Sequence, residues 1–308
     1  MENKIITLKG PTASGKPNHA SKLIKSYPLE IISVDSVMVY KGLDIGSAKP
    51  TSEELKLCPH HLIDVCEPTE NYSAGEFYQD AQQLIQSIIR RGKIPFLVGG
   101  TMMYFRVLER GISQLPSANS TVRNQIESEA AENGWAKLHQ KLHRIDPIAA
   151  NKIDPSDKQR IQRAIEVHRI TGKPISSFHD EHNKKMDYQH LDLSLVPSKR
   201  DILYDRIENR FDSMLDQGLV SEVGHLLSQD SLTSSHNSLR SVGYKQICEF
   251  IENKCTHDEA RANAIVATRR LAKRQLTWLR SDADSAVFDP LHRRSEVDIA
   301  NKVSEFLN

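Results

Sequence analysis

The sequence predicts an α/β protein in which a parallel sheet core carries a helical insertion. Three observations point there: short apolar runs that end in glycine-rich or polar turns, a strongly periodic helix between two of them, and a stretch of about 85 residues where strand patterning stops. The first run, Lys4 to Leu8, precedes GPTASGK. The second, Leu29 to Val34, precedes Asp35, and the third, Pro95 to Val98, precedes GGT. Runs of this length bounded by turns are what strands buried on both faces look like. Between the second and third, Ala74 to Arg91 places Phe77, Ala81, Leu84, Ile85, Ile88 and Ile89 at helical spacing, and Gly92 follows as a C-terminal cap.

From about Gly111 to Pro197 the chain turns helical and polar, as in STVRNQIESEAAENGWAKLHQKLHRI and PSDKQRIQRAIEVHRI. A composition shift inside an α/β protein reads as an insertion, here residues 113–195. Residues 1–112 and 196–308 form the core with its C-terminal helices, and Leu193 to Pro197 returns the chain to the sheet. Successive helices then fill Lys199 to Leu279, with turns near Gly218, Asp230 to Asn237 and Asn253 to Thr256.

The chain has 308 residues, of which 38% are hydrophobic, enough for a sizeable core. Its 41 Lys and Arg against 40 Asp and Glu exclude a uniformly basic nucleic-acid binder, so any RNA contact rests on locally clustered charge. Cys58, Cys66, Cys248 and Cys255 show no C-x-x-C spacing, which fits a reducing compartment. The start MENKIITLKG is too short an apolar run for a signal peptide. No stretch approaches the roughly 18 apolar residues of a membrane helix, and a cytoplasmic protein is expected.

Gly10-Pro11-Thr12-Ala13-Ser14-Gly15-Lys16 follows the first strand and opens a helix. In that context loop amides and the helix N-terminus point at phosphate oxygens and the lysine neutralises them, which predicts a diphosphate or triphosphate ligand. The next residue is Pro17, where the motif calls for a Ser or Thr hydroxyl on Mg²⁺. Proline suits a first helical turn, so the fold survives while the metal ligand is lost. Asp35, at a strand tip, lies on the edge where α/β ligands bind. It serves there as a base, as a metal anchor through water, or as a helix cap. Gly99-Gly100-Thr101 reads either as a close-approach ligand turn with a hydroxyl donor or as a tight turn with an N-cap. Arg269 and Lys273, and Arg270 and Arg274, fall one helical turn apart and form a basic stripe ending in Trp278 and Arg280, an RNA face or a solvated one. His60-His61 lack a second pair at ligand spacing and read as structural.

GPTASGK, IISVDS with VYKGLDIGSAKP, HHLIDV, LVGGTMMYF, DKQRIQRAIEV, SVGYKQ and ATRRLAKRQLTWLR together resemble the tRNA dimethylallyltransferases, in the same order and over residues 10 to 280. The resemblance implies a P-loop kinase-like core with a helical insertion that grips tRNA. It implies transfer of a dimethylallyl group from dimethylallyl diphosphate to N6 of adenosine 37 in tRNAs that read codons starting with U, with Mg²⁺ as cofactor. The base is flipped into a channel that the diphosphate enters from the other side. By the same resemblance, Gly10, Pro11, Thr12, Ala13, Ser14, Gly15, Lys16 and Pro17 hold the diphosphate. Asp35 accepts the N6 proton, Thr101 bonds the bridging oxygen, and Arg210 supports the leaving charge.

Implied contacts to the tRNA anticodon stem-loop are Asp35, Ser36, Val37, Met38 and Thr101; Arg123, Gln159, Arg160, Ile161, Gln162 and Arg163; Arg240, Ser241, Val242, Gly243, Tyr244 and Lys245; and Lys273, Arg274, Gln275, Leu276, Thr277, Trp278, Leu279 and Arg280. A monomer is expected. Pro17 in place of the family's threonine, Met38 in place of Gln or Leu, and Asp154 in place of His depart from the pattern. The absence of Cys/His pairs for a zinc finger marks a bacterial form. Three readings compete, the least of them transfer of the prenyl group to free adenine nucleotides, which the RNA-contact segments disfavour. A small-molecule P-loop kinase shares the phosphate loop but needs the Mg²⁺ that Pro17 disfavours. A catalytically impaired RNA-binding relative is the third.

Overall fold

The computed structural model describes residues 3–113, 115–178 and 188–308. Strands β1 (Lys4–Lys9), β2 (Leu29–Val34), β3 (His60–His61), β4 (Ile94–Gly99), β5 (Gln189–Leu195) and β6 (Ala286–Phe288) form one sheet in the order β3-β2-β4-β1-β5-β6, with every pairing parallel. The helices are α1 (Lys16–Ser26), α2 (Ser52–Leu57), α3 (Ala74–Arg90), α4 (Met102–Arg110), α5 (Ser120–Asn133), α6 (Trp135–Ile145) and α7 (Pro147–Ala150). They continue with α8 (Lys158–Thr171), α9 (Arg200–Asp216), α10 (Leu219–Leu227), α11 (Tyr244–Ile251), α12 (His257–Ser281) and α13 (Ser295–Leu307).

The three apolar runs form the three central strands, and the predicted crossover helix is α3, opened by a reciprocal capping box between Ser73 and Glu76. Ile6, Leu8, Ile31, Phe96, Leu193 and Leu195 are all sealed from water, as strands covered on both faces require. Register fixes what the strand ends do. Gly99 pairs with Lys9 on one side and Val34 on the other, so β1, β4 and β2 finish level. A Cβ on Gly99 would lie 2.0 Å from the Val34 carbonyl oxygen, so no other residue fits there.

Two compact units emerge: Met1–Val107 with Asp187–Asn308, and Leu108–Met186. The expected insertion, 113–195, reaches too far. Residues 189–195 are β5, paired with β1 from Lys4↔Gln189 to Lys9↔Ser194. Polar residues hide this strand in the sequence: Gln189 and His190 are exposed at its start, and Asp192 accepts a hydrogen bond from Thr7 (2.6 Å) and an ion pair from the buried Lys9 (3.2 Å). Gln114 and residues 179–187 of that expected insertion lie outside the described residues. Strands β3 and β6 and helix α13 were not anticipated; β3 is two residues long, β6 three, and both are too short for a periodic signal. His60 and His61 are structural. His60 Nδ1 lies 2.7 Å from the Cys58 carbonyl and His61 Nε2 3.0 Å from Glu30. Among the described residues no helix is long and apolar enough to cross a membrane.

The second unit is a helical cluster around Ile126, Leu138, Leu142, Ile161 and Ile165. At its centre Glu166 is fully buried and accepts from Arg123 Nε (2.9 Å), Arg163 Nη1 (2.7 Å) and the Asn119 amide (2.8 Å). Burial alone would raise its pKa. Hydrogen bonds from Arg123, Arg163 and the Asn119 amide, with the charge of Arg123, outweigh that and hold the carboxyl below its ordinary range. Such a group stabilises the fold above its unfolded pKa and loses that contribution as pH falls through the folded one. Glu166→Ala is therefore expected to cost about 3 kcal/mol at pH 7, with the difference from wild type shrinking below about pH 4; thermal unfolding across that range measures both.

Candidate active site at the strand tips

The level finish of β1, β4 and β2 brings the phosphate loop, Gly100-Thr101 and Asp35 to one edge, where a cavity of about 690 Å³ opens. Its lining includes every loop residue from Thr12 to Pro17, then Asp35 to Met38, Gly100 to Met103, Arg210, and an apolar group of Ile207, Phe211, Met214, Val242 and Leu271. Three separate stretches of the first half of the chain thus meet helices α9 and α12 of the last third.

The loop is shaped as the motif predicts. Gly15 sits in the left-handed region at φ 87°, Pro17 occupies the first turn of α1, and no side chain caps that helix. The amides of Ala13, Gly15 and Lys16 make no hydrogen bond among the described residues, which leaves them for an anion. The Ser14 hydroxyl is buried with no partner, a deficit that a ligand oxygen or water relieves. Lys16 donates to the carbonyls of Gly10 (2.9 Å) and Pro11 (2.8 Å). Burial and the nearby Arg210 guanidinium lower its pKa to about 7, although Asp35 pulls the other way. Arg210 reaches Thr12 Oγ1 and the Ser47 carbonyl, both at 3.4 Å.

Asp35 Oδ1 accepts from the amides of Val37 (2.8 Å) and Met38 (3.2 Å), so the carboxylate organises the turn that follows it. Its Oδ2 has no hydrogen bond among the described residues. Thr101 Oγ1 accepts from the Ser36 amide (3.1 Å), and the Val34 carbonyl takes the amides of both Gly100 and Thr101. Asp35 and Thr101 are thereby fixed side by side. The arrangement offers cationic and amide support for a diphosphate, a carboxylate oxygen open to a proton, and an apolar wall next to both.

Helix α12 has two faces. Lys273, Arg274, Thr277, Trp278 and Arg280 are exposed, and Arg106 stacks on the Trp278 ring at 5.3 Å. Gln275, Leu276 and Leu279, which the resemblance also assigns to RNA, are buried on the other face, with Gln275 at the cavity. Gln275 spends both ends of its amide on the Thr12 amide and the Gly100 carbonyl. Arg269 also leaves the basic stripe: it donates to Glu208 (2.9 Å) and lies over Tyr204.

Elsewhere, Arg240 and Lys245 are exposed, Ser241 and Val242 are half-buried, and Gly243 and Tyr244 are buried. In the second unit Gln159 and Arg160 are exposed, whereas Ile161 is sealed in the core. Gln162 donates to Glu127, and Arg123 and Arg163 are committed to Glu166.

Sequence reasoning missed Glu222. Its carboxylate accepts from the amides of Asp44 (3.1 Å), Ile45 (2.7 Å) and Gly46 (3.2 Å) and from the Tyr244 hydroxyl (2.7 Å). It thereby holds the loop whose Ser47 carbonyl meets Arg210. An isolated glutamate in VSEVGHLL gives no signal of this, because the three amides it gathers lie 176 to 178 residues away in sequence.

An anion in the loop restores the charge of Lys16. Between about pH 7 and the higher pKa of the bound state, the complex then holds more protons than free protein, and affinity falls as pH rises. Calorimetric titration with pyrophosphate in buffers of different ionisation enthalpy is expected to show proton uptake near pH 8. Lys16→Arg is expected to remove the protein's share of it, because guanidinium stays charged.

The family model for IPP transferase matches residues 38–282. A tRNA dimethylallyltransferase of Coxiella burnetii is 48% identical over 304 residues, covering 98% of this chain and 96% of the relative. One of Legionella pneumophila is 44% identical over 308 residues, covering 100% and 98%. Among solved structures, a tRNA isopentenylpyrophosphate transferase from Bacillus halodurans superposes with a TM-score of 0.73 at 35% identity, covering 99% of this chain and 97% of that one. A eukaryotic dimethylallyltransferase acting on tRNA gives 0.81 at 26% identity, covering 99% and 79%. With the model spanning most of the chain and relatives near half identity along nearly all of it, this chain belongs to the IPP transferase family.

Proposed function

We propose that this protein transfers a dimethylallyl group from dimethylallyl diphosphate to N6 of adenosine 37 in tRNAs that read codons starting with U. The observation that carries the reading is the single cavity in which a cationic phosphate loop, an open carboxylate oxygen and an apolar wall meet. The diphosphate lies along the loop amides and Lys16. The five-carbon group lies against Phe211, Met214 and their neighbours. The N6 nitrogen attacks the allylic carbon as the carbon–oxygen bond breaks, pyrophosphate leaves with the bonding electrons, and the proton of N6 passes to Asp35. Oδ2 is the receiving oxygen, since Oδ1 is held by two amides. Arg210 and Lys16 take up the charge that grows on the leaving group, and Thr101 donates to the bridging oxygen.

In the first unit the exposed side of α12, Arg240 and Lys245 offer a surface to the anticodon stem-loop. The second unit exposes Gln159 and Arg160 for contacts of its own to the RNA. We take the protein to act as a monomer and place the activity in the cytoplasm, where its tRNA substrate is found.

The residues present do not fit a protein-held Mg²⁺. Among the described residues there is no cluster of three or more carboxylate, histidine or cysteine ligands, position 17 has no hydroxyl, and Asp35 is the one carboxylate lining the cavity. Any Mg²⁺ would depend on the donor's own phosphate oxygens for its ligands and would supply charge neutralisation there. A P-loop kinase would need that ion placed across the phosphate it transfers, which this donor set does not provide.

The direct test is incubation of purified protein with labelled dimethylallyl diphosphate, Mg²⁺ and unmodified tRNA, followed by mass spectrometry of the nucleosides. Isopentenyladenosine is expected with wild type and lost with Asp35→Ala; tRNA binding without product would mean an inactive RNA-binding relative. Arg210→Ala is expected to lower kcat by roughly 10² to 10³-fold, the cost of one lost donor to a developing charge, measured in single-turnover kinetics. Pro17→Thr is expected to lower the Mg²⁺ concentration that gives half-maximal rate, and coincident titration curves would show that this position never meets the ion.

A further inference from the structure

Helix α12 is exposed and basic on one side, yet in the middle of its buried face, between Ala272 and Leu276, stands a glutamine. A buried amide is costly unless both its donor and its acceptor are satisfied, and Gln275 satisfies both on two different loops. Its Oε1 accepts from the Thr12 amide at 3.0 Å, and its Nε2 donates to the Gly100 carbonyl at 2.8 Å. Thr12 belongs to the phosphate loop after β1, and Gly100 to the turn after β4. The approach is tight: a Cβ on Gly100 would lie 2.7 Å from Nε2 and 3.2 Å from the Gly10 carbonyl oxygen.

We infer that Gln275 is a positioning residue that clips the phosphate loop to the Gly100-Thr101 turn. It is not a contact to RNA, although its immediate neighbours in sequence, Lys273, Arg274 and Thr277, face solvent. An amide can do this where other buried side chains cannot, because it presents one donor and one acceptor in a plane, matched to one N–H and one C=O. The clip has a consequence for the ligand. With its N–H committed to Gln275, Thr12 takes no part in the anion cradle, which is left to Ala13, Gly15 and Lys16. The carbonyl of Gly100 is drawn toward the helix, which fixes the distance between the loop that holds the diphosphate and the Thr101 hydroxyl one residue on. This assignment rests on the proposed function only in taking pyrophosphate as the ligand of the loop.

Full-length wild type, Gln275→Leu, Gln275→Glu and Lys273→Gln are to be compared by calorimetry with pyrophosphate, by filter binding of unmodified tRNA, and by amide hydrogen exchange at Thr12. Gln275→Leu is expected to lose about tenfold in pyrophosphate affinity and to speed Thr12 exchange about tenfold, with tRNA affinity kept. Gln275→Glu retains the acceptor, so its Thr12 amide stays protected, a rescue that a general packing role would not give. Lys273→Gln, outside the cavity lining, is expected to behave the other way, losing tRNA affinity and keeping pyrophosphate. Gln275→Leu that loses tRNA affinity while binding pyrophosphate as wild type does, or Thr12 exchange equally fast in the Leu and Glu variants, overturns the assignment. Wild type that binds no pyrophosphate overturns the proposed function, and this assignment with it.

Discussion

The site depends on one backbone contact, the approach of β4 to β2 at Gly99. With no side chain there, the Val34 carbonyl comes close enough to accept the amides of Gly100 and Thr101. That shared acceptor ties the end of one strand to the start of the next turn and makes neighbours of Asp35 and Thr101. Because Gly99 also pairs with Lys9, the phosphate loop leaves the sheet at the same level. Three chain segments separated by dozens of residues therefore open on one cavity without any side chain reaching far. A larger residue at position 99 would separate the strands and with them the acid from the anion cradle.

Around that frame the C-terminal helices act as struts. Glu222 gathers three consecutive amides of the loop 44–46, whose next carbonyl meets Arg210. Lys9, sealed beneath the cavity, pairs with Asp192 on β5 and with Asp282 just past the end of α12. A buried ammonium is tolerable only with such partners, and these two join the first strand to the far end of the chain. The catalytic edge is thus built by the N-terminal half and braced by the last third, which explains why helices with no motif of their own determine its geometry.

Much of this was legible in the sequence because it is written in local terms. The apolar runs of β1, β2 and β4, the period of α3 and the spacing of GPTASGK each signal their conformation within a dozen residues. What stayed hidden is non-local or masked by chemistry. Gln189, His190 and Asp192 disguise a strand, since one of them pairs with a buried lysine that no periodicity reveals. Ile161, Tyr244, Leu276 and Leu279 fall in stretches that the family pattern assigns to RNA, but a helix presents only part of its circumference to any partner. Burial decides which residues those are. The family pattern assigns Arg123 and Arg163 to RNA and helical spacing puts Arg269 on the basic stripe, and the structure pairs each of them with a carboxylate.

The resting position of Lys16 bears on which anions the loop admits. Its Nζ donates to the carbonyls of Gly10 and Pro11, its own loop, so a ligand competes with two satisfied hydrogen bonds. An anion that offers a single weak acceptor exchanges those bonds at a loss. One with several closely set oxygens replaces them and engages the open amides in the same step. The geometry of the loop thereby favours a ligand with several closely set oxygens, such as a diphosphate, over a simple ion.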